Sequence, residues 1–123
     1  MPYQLSVLLV IFLACSGPNS TGLSTTTSEH GESIVQCLTR KEVRLYGASW
    51  CNFCQEQLLL FGDDVAGLPY TDCDPKGELD FRETCTEQGV PYGTIIPVWI
   101  FKDGSRLYGV RHPDVIAVVA DCP

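Results

Sequence analysis

Apolar residues fall along this chain in short groups whose spacing alternates between the helical and the extended period. Residues 5–14 are apolar at every position except Ser6. Residues 16–28 are Ser, Thr, Gly, Pro and Asn with little else, and no periodic pattern runs through them. Periodicity begins beyond that stretch. Ile34, Val35 and Leu38 recur at helical spacing, with Ser28 placed as an N-cap. Residues 42–47 hold Val43, Leu45 and Tyr46 and predict a short strand. Residues 51–61 predict a helix whose wide apolar face is Phe53, Leu58, Leu59, Leu60 and Phe61, stopped by Gly62-Asp63-Asp64. Residues 68–73 predict a second strand, and Asp74-Pro75-Lys76-Gly77 a turn. A helix is expected over 78–88, ended by Gly89 with Pro91 just past it. Residues 98–101 and 106–110 predict two strands joined by the turn Lys102-Asp103-Gly104-Ser105. Pro113 opens a last helix, with Asp114 in its first turn and Val115, Ile116 and Val119 on one face.

The order is helix, then β-α-β-α-β-β-α. A crossover helix between the first two strands makes them parallel, and the tight turn makes the last two antiparallel. The expected architecture is α/β, a four-stranded mixed sheet with helices on both faces, occupying residues 29–123. With 123 residues the chain has room for one small domain.

Composition narrows the surroundings. Net charge is −7 and no Lys or Arg precedes Arg40. That argues against binding to nucleic acid or to anionic lipid. Seven Cys in so short a chain, beside two His, point to an oxidising compartment. The apolar run over 5–14 is too short to span a bilayer, which takes roughly 20 residues. It suits the hydrophobic part of a secretory signal, although residues 1–4 carry no basic side chain. Cleavage before Cys15, with lipid on that cysteine, and ordinary cleavage after Ser16 are both compatible with Ala14-Cys15-Ser16. Residues 1–15 are thus expected to be a signal peptide, of lipoprotein type or not, and 16–28 a flexible tether.

The candidate chemistry lies where the first strand of the sheet runs into a helix, at Ala48-Ser49-Trp50-Cys51-Asn52-Phe53-Cys54. Two cysteines separated by two residues on a first helical turn can close a small ring. The first sulfur then lies beside free backbone N–H groups and the positive end of the helix dipole, which stabilises a thiolate. This is what a dithiol–disulfide switch needs, and the end of a central parallel strand is where α/β folds place reactive groups. Ile96-Pro97, entering a later strand, is the third component. Zinc sites share the CxxC spacing.

The phrases Leu45-Tyr46-Gly47-Ala48-Ser49-Trp50-Cys51-Asn52-Phe53-Cys54-Gln55, Asp72-Cys73-Asp74-Pro75, Cys85-Thr86-Glu87-Gln88-Gly89-Val90 and Tyr108-Gly109-Val110-Arg111 follow one another in order. Together they resemble the thioredoxin superfamily, and within it the thioredoxin-like domain associated with bacterial vitamin K epoxide reductase homologues. The resemblance covers roughly residues 29–123. It implies a thioredoxin-like fold and a thiol-disulfide oxidoreductase that shuttles disulfides between cysteine-containing protein substrates and a quinone-linked membrane reductase, here a separate protein. Cys51 and Cys54 would be catalytic, with Trp50, Ile96 and Pro97 meeting the substrate and Pro97 cis. Cys73 and Cys85 would form a structural disulfide, which sets aside a zinc site built from Cys51, Cys54, Cys73 and Cys85. No metal and no cofactor is implied, and a monomer is expected. The sequence departs from the family at Asn52 and Phe53, where Pro and His are usual, at Val98, where Thr is common, and in a longer loop over 90–96. Leu45 stands where thioredoxin has a buried Asp, so no proton acceptor for Cys54 is evident.

Other residues carry less. Trp50 is either a substrate contact or a cover for the core edge, and Tyr46 and Trp99 belong in the core. His30 and His112 read as solvated or capping, and Glu56 as part of a solvated helix face. The superfamily pattern puts the first and last helices on opposite faces, so Cys37 and Cys122 are expected as two inert thiols rather than a bridge. Oxidase and reductase directions both remain open. The alternative class is a non-catalytic, redox-sensitive binding module whose Cys51–Cys54 bond is structural.

Overall fold

A four-stranded sheet in the order β2-β1-β3-β4 organises the molecule. The computed structural model describes residues 31–123. The expected signal peptide and tether, Cys15, Ser28 and His30 lie outside the described residues. In chain order the elements are α1 (Ile34–Arg40), β1 (Arg44–Gly47), α2 (Asn52–Leu59), a 3₁₀ turn (Gly62–Gly67), β2 (Tyr70–Asp72), α3 (Glu83–Glu87), β3 (Val98–Ile100), β4 (Arg106–Tyr108) and α4 (Pro113–Val119). Strand β1 pairs parallel to β2 and antiparallel to β3, which pairs antiparallel to β4. This is the mixed α/β sheet expected, and it is consistent with a thioredoxin-like fold.

Alternation along the strands divides the core in two. Leu45 and Trp99, paired in register, point to one face with Leu38, Val43, Phe61 and Ile116. Tyr46 and Val98, the next pair, point to the other with Cys73, Phe81, Cys85 and Val90. Helices α1 and α4 both pack on the first face, and α3 on the second. The strands are short because little chain separates the turns, and β1 is central because both its edges are paired.

Several elements differ from the expectation for physical reasons. Ser33, not Ser28, caps α1. Its hydroxyl accepts the Gln36 N–H while the Gln36 side chain accepts the Ser33 N–H, a reciprocal capping box. Helix α3 is five residues rather than eleven, because Leu79 takes a left-handed conformation (φ +59°) as residues 78 and 79 turn their N–H groups onto the Asp74 carboxylate. Helix α2 does not bury the face of Phe53, Leu59 and Leu60, which are all exposed. It turns Cys54 and Gln57 inward, followed by Leu58 and Phe61, an i, i+3, i+4, i+7 stripe in which one polar residue takes a core position.

Cys37 and Cys122 are not inert thiols. They form a disulfide across 85 residues of sequence. The expectation failed because α1 and α4 lie side by side on one face rather than on opposite faces. Cys73 and Cys85 are also bonded, across 12 residues.

In the chain-entropy picture the longer loop stabilises more, by about 4 to 5 kcal/mol against about 3 kcal/mol for the shorter. Urea unfolding of the oxidised protein should therefore show a larger loss for Cys37→Ala/Cys122→Ala than for Cys73→Ala/Cys85→Ala. The reverse order would show that the ends of the chain are held together without the bridge.

Candidate active site

Cys51 and Cys54 lie where β1 passes into α2, and both are free thiols. Cys51 is the N-cap of α2. Its sulfur accepts the Cys54 N–H at 3.2 Å, so one of the orphan donors at the helix start is aimed at the first sulfur. Its thiol also faces the Ile96 carbonyl at 3.9 Å. Cys51 is 7% exposed and Cys54 1%, so the first sulfur is the outer of the two. Ala48 and Ile96 pack against both. The Ile96–Pro97 peptide is cis, and the Pro97 side chain is fully buried. Cys51, Cys54, Ile96 and Pro97 are therefore brought together, with Trp50 alongside. Cys73 and Cys85 bond to each other elsewhere, so they are not ligands to a metal shared with Cys51 and Cys54.

Cys54 is held as a thiol. Burial pushes its pKa from 9.0 up to about 12, aided by the hydrogen bond with Cys51 and by negative charge at Cys51 and Asp72, against a backbone contact at Ala48 that lowers it. Tyr70 is shifted upward as well, first by burial and then by the negative charges at Asp72, Cys54 and Cys51. Its hydroxyl is buried with no hydrogen-bond partner among the described residues.

Three residues that the sequence reading passed over shape the site. Gly47 is the last residue of β1, and a Cβ there would lie 2.8 Å from the Cys54 sulfur and 3.1 Å from the Tyr70 ring. Only glycine lets the strand pass beneath the second cysteine. Gln57 is fully buried. Its Oε1 accepts the Trp99 indole N–H at 3.2 Å and the Arg111 N–H at 2.7 Å, and its Nε2 donates to the Arg111 carbonyl at 2.9 Å. It fastens α2 to β3 and to the segment after β4. Asp74 is 1% exposed and accepts the Trp50 indole N–H at 2.6 Å. Burial alone would raise its pKa, but donation from Trp50, Leu79, Glu78 and Gly77 outweighs that and holds it below 3.8. The sequence signals were partial: Gly47 ends the expected first strand and Asp74 follows Cys73, whereas the apolar periodicity of the helix does not single out Gln57.

Over 87 residues the chain is 29% identical to "Thiol-disulfide oxidoreductase LTO1" of Arabidopsis thaliana. The chain is similar to a thiol-disulfide oxidoreductase. The match takes in 68% of this chain and 22% of the plant protein, so the chain spans about a fifth of its relative's length. No family model matches the sequence. Together with the adjacent thiols of Cys51 and Cys54, the similarity supports redox activity in general. The hollow lined by Arg40, Lys41, Val43 and Phe101 is at the opposite end of the sheet and contains no thiol.

The position of Cys54 has a consequence for alkaline stability. The fold keeps a proton that the unfolded chain releases above about pH 9, so this contribution is complete below pH 9 and is lost as pH rises toward 12. Urea midpoints of the dithiol protein should fall more steeply between pH 9 and 11 than those of Cys54→Ser. Because the Cys54 charge adds to the Tyr70 shift, both proteins are compared in a Tyr70→Phe background, which removes that second titration. Parallel curves would show that Cys54 is not held protonated.

Proposed function

We propose that this protein is an extracytoplasmic thiol-disulfide oxidoreductase that exchanges disulfides with cysteine-containing protein substrates through Cys51 and Cys54. The observation that carries the reading is the Cys54 N–H aimed at the Cys51 sulfur at the start of α2, with a buried, protonated Cys54 one turn behind it. That arrangement gives the two sulfurs different work. The Cys51 thiolate attacks a substrate disulfide, forms a mixed disulfide and expels one substrate thiolate. Cys54 then attacks the Cys51 sulfur, passing its proton to an expelled substrate thiolate, and the second substrate thiolate leaves. Two electrons pass from the pair to the substrate, and Cys51 and Cys54 end as a disulfide. Run in reverse, the oxidised pair takes two electrons from a substrate dithiol.

In this reading an extended substrate segment lies against the Ile96 backbone, next to the cis Pro97, and also meets the half-exposed Trp50 ring. The apolar run over 5–14 and the two formed disulfides support an extracytoplasmic location, with Cys15 lipidated or the signal cleaved beyond it. The resemblance of four phrases to domains associated with vitamin K epoxide reductase homologues supports a quinone-linked membrane partner. That partner would accept electrons in the oxidase direction and deliver them in the reductase direction.

After mild reduction, iodoacetamide should label Cys51 before Cys54, as peptide mapping will show. The variant Cys54→Ala should hold mixed disulfides with extracytoplasmic proteins on Cys51. Equal labelling of the two cysteines, or a variant that retains no mixed disulfide, would favour the non-catalytic binding module instead.

A further inference from the structure

Resolution and opening of the Cys51–Cys54 bond both place charge on the Cys54 sulfur, and that sulfur is buried. Burial, the Cys51 charge and the Asp72 carboxylate all work against a thiolate there. Strand β1 supplies no side-chain donor from beneath, because its residues on that face are Leu45 and Gly47. Gln57, the buried polar residue of α2, has its amide committed to Trp99 and Arg111. The neighbouring strand does supply a donor. Tyr70 and Asp72 are the register partners of Leu45 and Gly47, so their side chains stand on the same face of the sheet as Cys54.

The Tyr70 ring and the Cys54 sulfur close on one point. A Cβ at Gly47 would meet the sulfur at 2.8 Å and Tyr70 Cε2 at 3.1 Å. Cε2 flanks the carbon that bears the hydroxyl, so the polar end of the ring is the end near the sulfur. That hydroxyl is buried and has no hydrogen-bond partner among the described residues. An orphaned buried hydroxyl lowers stability and calls for a reason. A thiol is a weak acceptor and a thiolate a strong one, so the natural partner of this O–H exists only while Cys54 is charged. Burial first, then the negative charges at Asp72, Cys54 and Cys51, keep Tyr70 itself protonated, so it stays a donor.

We propose that the Tyr70 hydroxyl is a catalytic hydrogen-bond donor to the Cys54 sulfur while that sulfur carries charge. The proposal rests on the exchange reaction above and adds the group that meets the charge on its second sulfur. In the resolving step the Cys54 proton goes to the expelled substrate thiolate. The Cys54 electron pair forms the bond to the Cys51 sulfur, and the second substrate sulfur leaves with the pair of the bond that breaks. In the opposite direction a substrate thiolate attacks the Cys51 sulfur. The Cys51–Cys54 bond breaks, and its electron pair goes to Cys54, which then takes up a proton. Tyr70 keeps its own proton in both directions. Its contact is made in the charged state and not in the dithiol, which is the kind of interaction that lowers a barrier.

The test compares wild type with Y70F, which keeps the ring and removes only the orphaned oxygen. The probe is the aromatic disulfide dithiobis-nitrobenzoate, whose halves are coloured once released as thiolates. Release of the first half reports attack by Cys51, and release of the second reports attack by Cys54. At neutral pH Y70F should release the first half at the wild-type rate and the second about tenfold more slowly. Dithiothreitol should open the Cys51–Cys54 disulfide of Y70F more slowly by a similar factor. The reduction potential against glutathione should not move, because the donor acts on neither stable end state. Fluorotyrosine at position 70 carries the test should Y70F fail to fold: it keeps the hydroxyl, makes it a stronger donor and should speed the second release. A second release unchanged in either variant, equal slowing of both releases, or a shifted potential would overturn the proposal while leaving the exchange reading intact. A wild-type protein that releases the first half and never the second would sink the exchange reading and this proposal with it.

Discussion

The hydrogen bond from the Cys54 N–H to the Cys51 sulfur depends on α2 starting at one particular residue, and much of the surrounding structure fixes that start. A helix of eight residues has little stability of its own in water. Its direction and starting point are set by what it packs on. Gly47 lets β1 run directly under Cys54, and the pairing of β1 on both sides keeps that strand in place. Gln57, three residues after Cys54, locks the helix to β3 and to Arg111 through three hydrogen bonds. A buried amide with both ends satisfied holds a geometry more specifically than an apolar side chain of the same size. A small shift of α2 would break that network before it moved the sulfurs apart.

The same division of labour appears on the other side of the site. The Cys73–Cys85 bond and the Asp74 loop make a rigid block next to Trp50, and the Cys37–Cys122 bond joins the first helix to the segment just after the last one. A short chain has limited apolar surface to bury, and cross-links restrict its unfolded state. The four bridged sulfurs are therefore structural in effect. The two free ones sit on the element whose position the rest of the fold determines.

Much of this was legible in the sequence because it rests on local rules. Alternation in Val43–Tyr46 and Val98–Phe101, the stop signals at Gly62 and Gly89 and the turn at Lys102–Ser105 specify the strands, their succession with the helices and the antiparallel last pair without tertiary information. Cys51 and Cys54 stand out because their spacing has meaning on a helix start. What was not legible depends on side chains reaching across the fold. Leu59 and Leu60 look like core by type, yet Gln57 occupies the inward position because Trp99 and Arg111 supply partners that no periodicity reveals. The shortened α3 follows from the left-handed turn at Leu79 beside the Asp74 carboxylate. The Cys37–Cys122 bond follows from which face α1 covers, and the spacing of its apolar residues is the same for either face.

The account turns on Cys51 and Cys54 being the labile pair. Equilibrating the protein across glutathione buffers of graded poise, quenching with acid and mapping each cysteine by mass spectrometry measures this directly. Cys51 and Cys54 should pass from dithiol to disulfide in a single two-electron step, while Cys37–Cys122 and Cys73–Cys85, with three of their four cysteines buried, stay oxidised throughout. A Cys51–Cys54 pair that never forms a disulfide, or that opens only together with the other two bonds, would contradict the account.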